Sequence, residues 1–112
     1  MEKNKPKTPI YTADQVFAIA KLLEQVYDLY PATTSEQKSI RSIAFDLEEK
    51  FSAKRKQLIK TNSLFELDKT HKIKLKYHEE FTLLRIITDL IETVNVVKTK
   101  NDLRIVSNFL DQ

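Results

Sequence analysis

Residues 77–97, YHEEFTLLRIITDLIETVNVV, form the most continuously apolar run in the chain, and their reading decides how the rest is arranged. Phe81, Leu84, Ile87, Ile91 and Val94 recur at steps of three and four. That spacing predicts one stripe of an α-helix. A second set, Leu83, Ile86, Leu90 and Val97, widens the apolar face beyond what a single neighbour covers. The helix therefore requires several partners, and the remaining segments read as those partners. The expected fold is mainly α, a compact bundle of three to four helices near 13–30, 35–60, 77–97 and 102–111.

At 112 residues and 41% hydrophobic content, the chain has enough apolar material for one core without a metal or disulfide. The absence of Cys removes disulfides, thiolate metal sites and a Cys nucleophile. Zero Gly and three Pro leave few residues suited to tight hairpin turns, which favours helices over sheets. Residues 1–9, polar and lysine-rich, read as a flexible arm, and 10–112 as a single helical domain. The arm has no apolar core of a signal peptide. Glu79, Glu80, Arg85, Asp89 and Glu92 would be costly in a bilayer, so the 77–97 segment is not expected to span a membrane. A soluble, cytoplasmic protein is the expectation.

Outward from the central run, Thr12 with Gln15 predicts a capping box, Tyr11 staples onto Val16, and a helix starts at Ala13. Its stripe is Val16, Ile19, Ala20, Leu23, Val26, Tyr27 and Tyr30, and Pro31 ends it. Thr33 with Glu36, or Thr34 with Gln37, caps the next helix, whose inner face is Ile40, Ile43, Ala44, Leu47 and Phe51. Lys54 and Arg55 then fall where apolar residues belong. Either they snorkel or the helix runs past the bundle into water, and the second reading is adopted. Residues 63–76 are ambiguous. Alternation in KIKLKY favours a strand, with Phe65 opposite Leu75 and Leu67 opposite Ile73 in a short β-hairpin. Ile73, Tyr77 and Phe81 equally continue a helical stripe backwards. Asn101 or Asp102 is expected to cap a last helix carrying Leu103, Ile105, Val106, Phe109 and Leu110.

The net charge of +3 conceals segregation. Residues 50–76 carry nine bases against two acids, whereas 10–49 carry three against seven. Lys54, Arg55, Lys56 and Lys60, with Lys72, Lys74 and Lys76, are thus candidates for contact with phosphates or an acidic partner. A solvated lysine-rich face is the plainer alternative.

Chemistry is thinly represented. His71 and His78 are seven residues apart, two turns of helix, too far to share a metal, and one Asp68-x-x-His71 pair is no metal site by itself. Glu48 with Glu49, and Glu79 with Glu80, diverge by about 100° on a helix and cannot converge as a dyad. Without Gly there is no nucleophile elbow or phosphate-cradling loop. No catalytic residue, cofactor or metal ligand is assigned. Phe17, Leu22 and Leu29, with Leu83, Ile86 and Leu90, form more apolar surface than a three-helix bundle covers, suggesting an oligomer surface. The expected function is that of a small non-catalytic helical binding protein, self-associating as a dimer or engaging a helical protein partner. The alternative is a nucleic-acid-associated protein using residues 50–76.

Overall fold

A computed structural model describes residues 10–61 and 69–111. Its elements are β1 (Ile10–Thr12), α1 (Ala13–Glu24), α2 (Val26–Leu29), α3 (Ser35–Lys60), β2 (Thr70–Lys72), α4 (Tyr77–Leu90) and α5 (Val97–Leu110), with a 3₁₀ turn over Ile91–Thr93. The protein is mainly helical, as the composition implies, and also carries a small two-stranded antiparallel sheet. The four long helices close a ring: α1 packs on α3 and α5, and α4 packs on the same two. Their shared core holds Val16, Ile19, Leu23, Leu47, Phe51, Leu83, Ile86, Ile87, Leu103 and Val106, all at most 2% exposed.

Local signals place the helix starts. Thr12 Oγ1 accepts from the Gln15 amide at 3.2 Å and Gln15 Oε1 accepts from the Thr12 amide at 2.9 Å, the reciprocal box that opens α1. Thr34 and Gln37 repeat it at α3. At Tyr30 the backbone is extended, as the following Pro31 requires, although a break at Gln25 already divides the predicted 13–30 helix into α1 and α2.

The predicted 77–97 helix is corrected. It ends at Leu90, and Val94 and Val96 are extended, with ψ of 123° and 117°. Two β-branched residues around Asn95 favour that geometry, and Thr93 Oγ1 closes the end by donating to the Leu90 carbonyl at 2.6 Å. The last helix consequently starts at Val97 rather than 102. Asp102 does not cap it, and instead accepts from Lys98 Nζ at 3.3 Å, one turn back.

The stripe along α4 is also corrected. Glu79, Thr82, Leu83, Ile86, Ile87 and Leu90 are buried, whereas Phe81 is exposed and Leu84 lies at the boundary. Of the stripe first chosen, only Ile87 belongs fully to the core. Both sets are apolar at helical spacing, so periodicity alone does not rank them.

Residues 70–76 are not helical. His71, Ile73 and Leu75 are buried and the intervening residues exposed, which realises the alternation read in KIKLKY. The strand pairs with β1 in the register Ile10↔Lys72, Tyr11↔His71 and Thr12↔Thr70. The proposed partners Phe65 and Leu67 lie outside the described residues. Two strands this short are marginal alone, and this pair is anchored because Tyr11 packs edge-on against Phe51 of α3, ring centroids 5.3 Å apart. Finally, α3 does not leave the bundle after Phe51. Leu58 is buried, Lys54 and Arg55 are half-buried, and Arg55 reaches Glu24 of α1 at 2.7 Å, so snorkelling is what the structure shows.

Candidate functional site

A groove runs between α3 and α4. It is lined by Glu36, Ser39, Ile40 and Ile43 on one side and Tyr77, His78, Phe81, Thr82 and Arg85 on the other, and encloses about 420 Å³. Ile40 is buried at its floor and Ile43 half-buried, while Tyr77 is 85% and Phe81 62% exposed. Phe45, Val96, Val97 and Ile105 are also more than half exposed elsewhere on the surface, and what distinguishes Tyr77 and Phe81 is that they flank an aliphatic floor.

Their exposure goes with the inward face of α4, where Glu79 joins the buried Leu83, Ile86, Ile87 and Leu90. Glu79 is only 2% exposed and points inward, toward α3. Lys50 Nζ meets its Oε1 at 2.6 Å, and the Lys76 amide donates to the same oxygen at 2.8 Å. With Glu79 fixed inside, Tyr77 and Phe81, each two residues away, are turned about 200° from it, outside the core. Burial raises the Glu79 carboxyl pKa, but the hydrogen bonds from Lys50 and Lys76 and the charges of Lys50 and His78 outweigh it, so the group lies below its ordinary range.

Arg85 closes the far end of the groove. Its Nη1 donates to Glu36 Oε1 at 2.9 Å across to α3, and its Nε to Asp89 Oδ2 at 3.1 Å. Tyr30 Oη donates to the same Asp89 oxygen at 2.8 Å, tying the end of α2 to α4. The Lys50–Glu79 and Arg85–Glu36 pairs together show α4 antiparallel to α3. Burial and then the bond to Asp89 hold the Tyr30 phenol above its usual pKa.

The predicted basic residues are only partly brought together. Lys72 at the end of β2 and Lys74 and Lys76 after it alternate with the buried Ile73 and Leu75, all three exposed, and this comb ends where α4 begins. Lys50 Nζ also donates to the Lys74 carbonyl at 3.2 Å, holding the comb against α3. Lys54 shares the Lys50 row of α3, but Lys56 and Lys60 lie on another row, about 200° from Lys54. Arg55 is neutralised by Glu24. Lys54, Lys56, Lys60, Lys72, Lys74 and Lys76 make no ion pair among the described residues.

The predicted oligomer surface is largely internal. Leu22, Leu83, Ile86 and Leu90 are buried in the chain's own core, because the four-helix ring covers a wider face of α1 and α4 than a three-helix bundle would. Phe17 is half-buried against that core, and only Leu29, 46% exposed, is openly on the surface. Sequence reasoning missed Tyr77 and Phe81, assigning Phe81 to the core. The signal available was Glu79, whose place at the third helical position, with Lys76 before it, marks an acid drawn back to bond the helix start.

His71 is buried in β2, His78 is exposed on α4, and Asp68 lies outside the described residues. Among the described residues no group of three or more His, Cys, Asp or Glu side chains is placed to hold a metal ion. No helix among them is long and apolar enough to cross a membrane. No family model, curated protein or solved structure matches this chain.

Proposed function

We propose that this chain is a small non-catalytic binding protein whose working surface is the groove between α3 and α4. The observation that carries the reading is the exposure of Tyr77 and Phe81 over Ile40 and Ile43. Exposed aromatics around a concave apolar floor are the usual anchors of protein recognition. Two partners meet that description, a second copy of the chain and a separate helical protein. Solution mass by light scattering separates them. A dimer at micromolar concentration that becomes monomeric in Phe81→Asp is the self-associating form, and a monomer is the form that takes a separate partner. Mass and partner capture that are both unchanged by Phe81→Asp contradict the groove as the working surface.

A second reading, nucleic-acid association, is favoured by the comb of Lys72, Lys74 and Lys76. Lysines on alternate residues of a strand stand about 7 Å apart and can follow a phosphate backbone. Affinity for single-stranded DNA or RNA that falls steeply with salt, and is lost in a Lys72→Ala, Lys74→Ala, Lys76→Ala triple variant, supports it. Binding that ignores those changes counts against it.

A further inference from the structure

We infer that residues 72–77 are a strip for single-stranded nucleic acid, in which Lys72, Lys74 and Lys76 meet phosphates and Tyr77 takes a base on its ring, an inference that rests on the nucleic-acid reading and not on the groove. The run KTHKIKLKYH, residues 69–78, holds four lysines and no acid. Lys72, Lys74 and Lys76 are exposed and make no ion pair among the described residues. The acid that follows, Glu79, is buried and bound by Lys50, so it does not neutralise the comb.

The backbone fixes where the lysines stand. Ile73 and Leu75 are buried between them, and Lys50 Nζ donates to the Lys74 carbonyl at 3.2 Å. Lys72 closes β2, and Lys76 is extended, with φ of −71° and ψ of 159°. Lysines on alternate residues of an extended chain are about 7 Å apart, against about 3.4 Å per residue along one strand of a duplex. The comb therefore suits a strand drawn out of its stack, whose phosphates are spread further apart.

Tyr77 supplies what an unstacked strand lacks. It follows Lys76 directly, neighbouring Cα atoms being about 3.8 Å apart, and it is 85% exposed. A nucleotide whose phosphate meets Lys76 thus has its base within reach of that ring. A duplex hides its base faces in the stack, so an aromatic ring beside a basic track selects single strands. The same chemistry makes the strip indifferent to base identity. Every base has a face that can stack, and the comb is entirely lysine, which presents a point charge. Arg55, the one guanidinium of residues 50–76 and the group able to read guanine with a planar fork, is taken up by Glu24. Nucleic acid is favoured over an acidic peptide because one repeating unit, the nucleotide, matches both the spaced charges and the bare ring.

The probes are labelled oligothymidylate and oligocytidylate and a duplex of the same length, titrated with the full chain by fluorescence anisotropy, with polyglutamate and phosphatidylserine vesicles tested alongside. Both single strands should bind with similar affinity and more tightly than the duplex. Log affinity should fall against log salt with a slope of about −2, as three lysine contacts to a single strand require. The Lys72→Ala, Lys74→Ala, Lys76→Ala variant should flatten that slope. Tyr77→Ala should weaken binding about tenfold at unchanged slope, and Tyr77→Phe, which keeps the ring, should bind as the parent does, with circular dichroism unchanged in every variant. Duplex bound as tightly as single strand, or Tyr77→Ala without effect, overturns the stacking strip and leaves the nucleic-acid reading in place. Absence of comb-dependent binding to every oligonucleotide overturns both, and polyglutamate or vesicles bound through the comb instead would assign it to an acidic protein or a lipid surface.

Discussion

Lys50 Nζ on α3 lies 2.6 Å from Glu79 Oε1 on α4, and the carboxylate it meets is shut away from solvent with its side chain 3% exposed. The ion pair lies on the same inward face of α4 as Leu83, Ile86, Ile87 and Leu90, and Tyr77 and Phe81 are left on the outer side.

Glu79→Ala is expected to destabilise the fold by about 2 kcal/mol, because the Lys76 amide and the partly buried Lys50 ammonium both lose their acceptor. The effect is pH-dependent. Glu79 ionises more readily in the folded chain than at its ordinary value of 4.5, so its contribution is complete above that value and is lost as pH falls through the lower native one. Urea unfolding midpoints measured from neutral to acidic pH should show this acid limb in the parent and a weaker one in Glu79→Gln.

Tyr11→Phe should leave stability equal or raise it by about 1 kcal/mol at neutral pH. The Tyr11 hydroxyl is buried and makes no hydrogen bond among the described residues, so its removal relieves a desolvated group and keeps the edge-on contact with Phe51. Burial first, and the charge of Glu80 second, hold the phenol in its neutral form above its ordinary pKa of 10.0. Folding stability in the parent should therefore fall as pH rises beyond that value, and Tyr11→Phe should lack this component. Thermal denaturation at neutral and alkaline pH measures both effects.

Ile86→Ala should cost about 3 kcal/mol, since Ile86 is fully enclosed by the helices around α4. Thr34→Ala should cost about 1 kcal/mol through loss of the α3 capping bond, with the folded circular dichroism spectrum retained. Chemical denaturation reads both. A negligible change for Ile86→Ala would mean that α4 presents a different face to the core.

Much of the fold is legible in short-range chemistry. The pairs Thr12–Gln15 and Thr34–Gln37 announce helix starts because each box closes within four residues, and Pro31 acts on its immediate neighbour. The alternation in KIKLKY is equally local and reports an extended chain. Its partner is not local: β2 pairs with residues 10–12, some sixty positions away, and no periodicity encodes that choice. The rotation of α4 was misread for a related reason. Phe81 and Leu84 compete with Leu83 and Ile86 as equally apolar stripes, and the decision rests with the helices α4 packs on, α3 and α5, including the Lys50 partner of Glu79. The end of that helix escaped because Val94 and Val96 satisfy the helical spacing while favouring extended geometry. The candidate groove inherits this limit: the comb of Lys72, Lys74 and Lys76 could be read directly, whereas bare aromatics become visible only once the inner face is known.

The most direct test of the groove is a Tyr77→Ser, Phe81→Ser double variant, followed by urea denaturation and by light-scattering mass and partner capture on the same preparation. The unfolding midpoint should stay within about 0.5 kcal/mol of the parent, as for surface substitutions, while binding is lost. A midpoint lowered as far as in Ile86→Ala would show these aromatics to be part of the core, and would contradict the division of α4 into a structural face and a binding face.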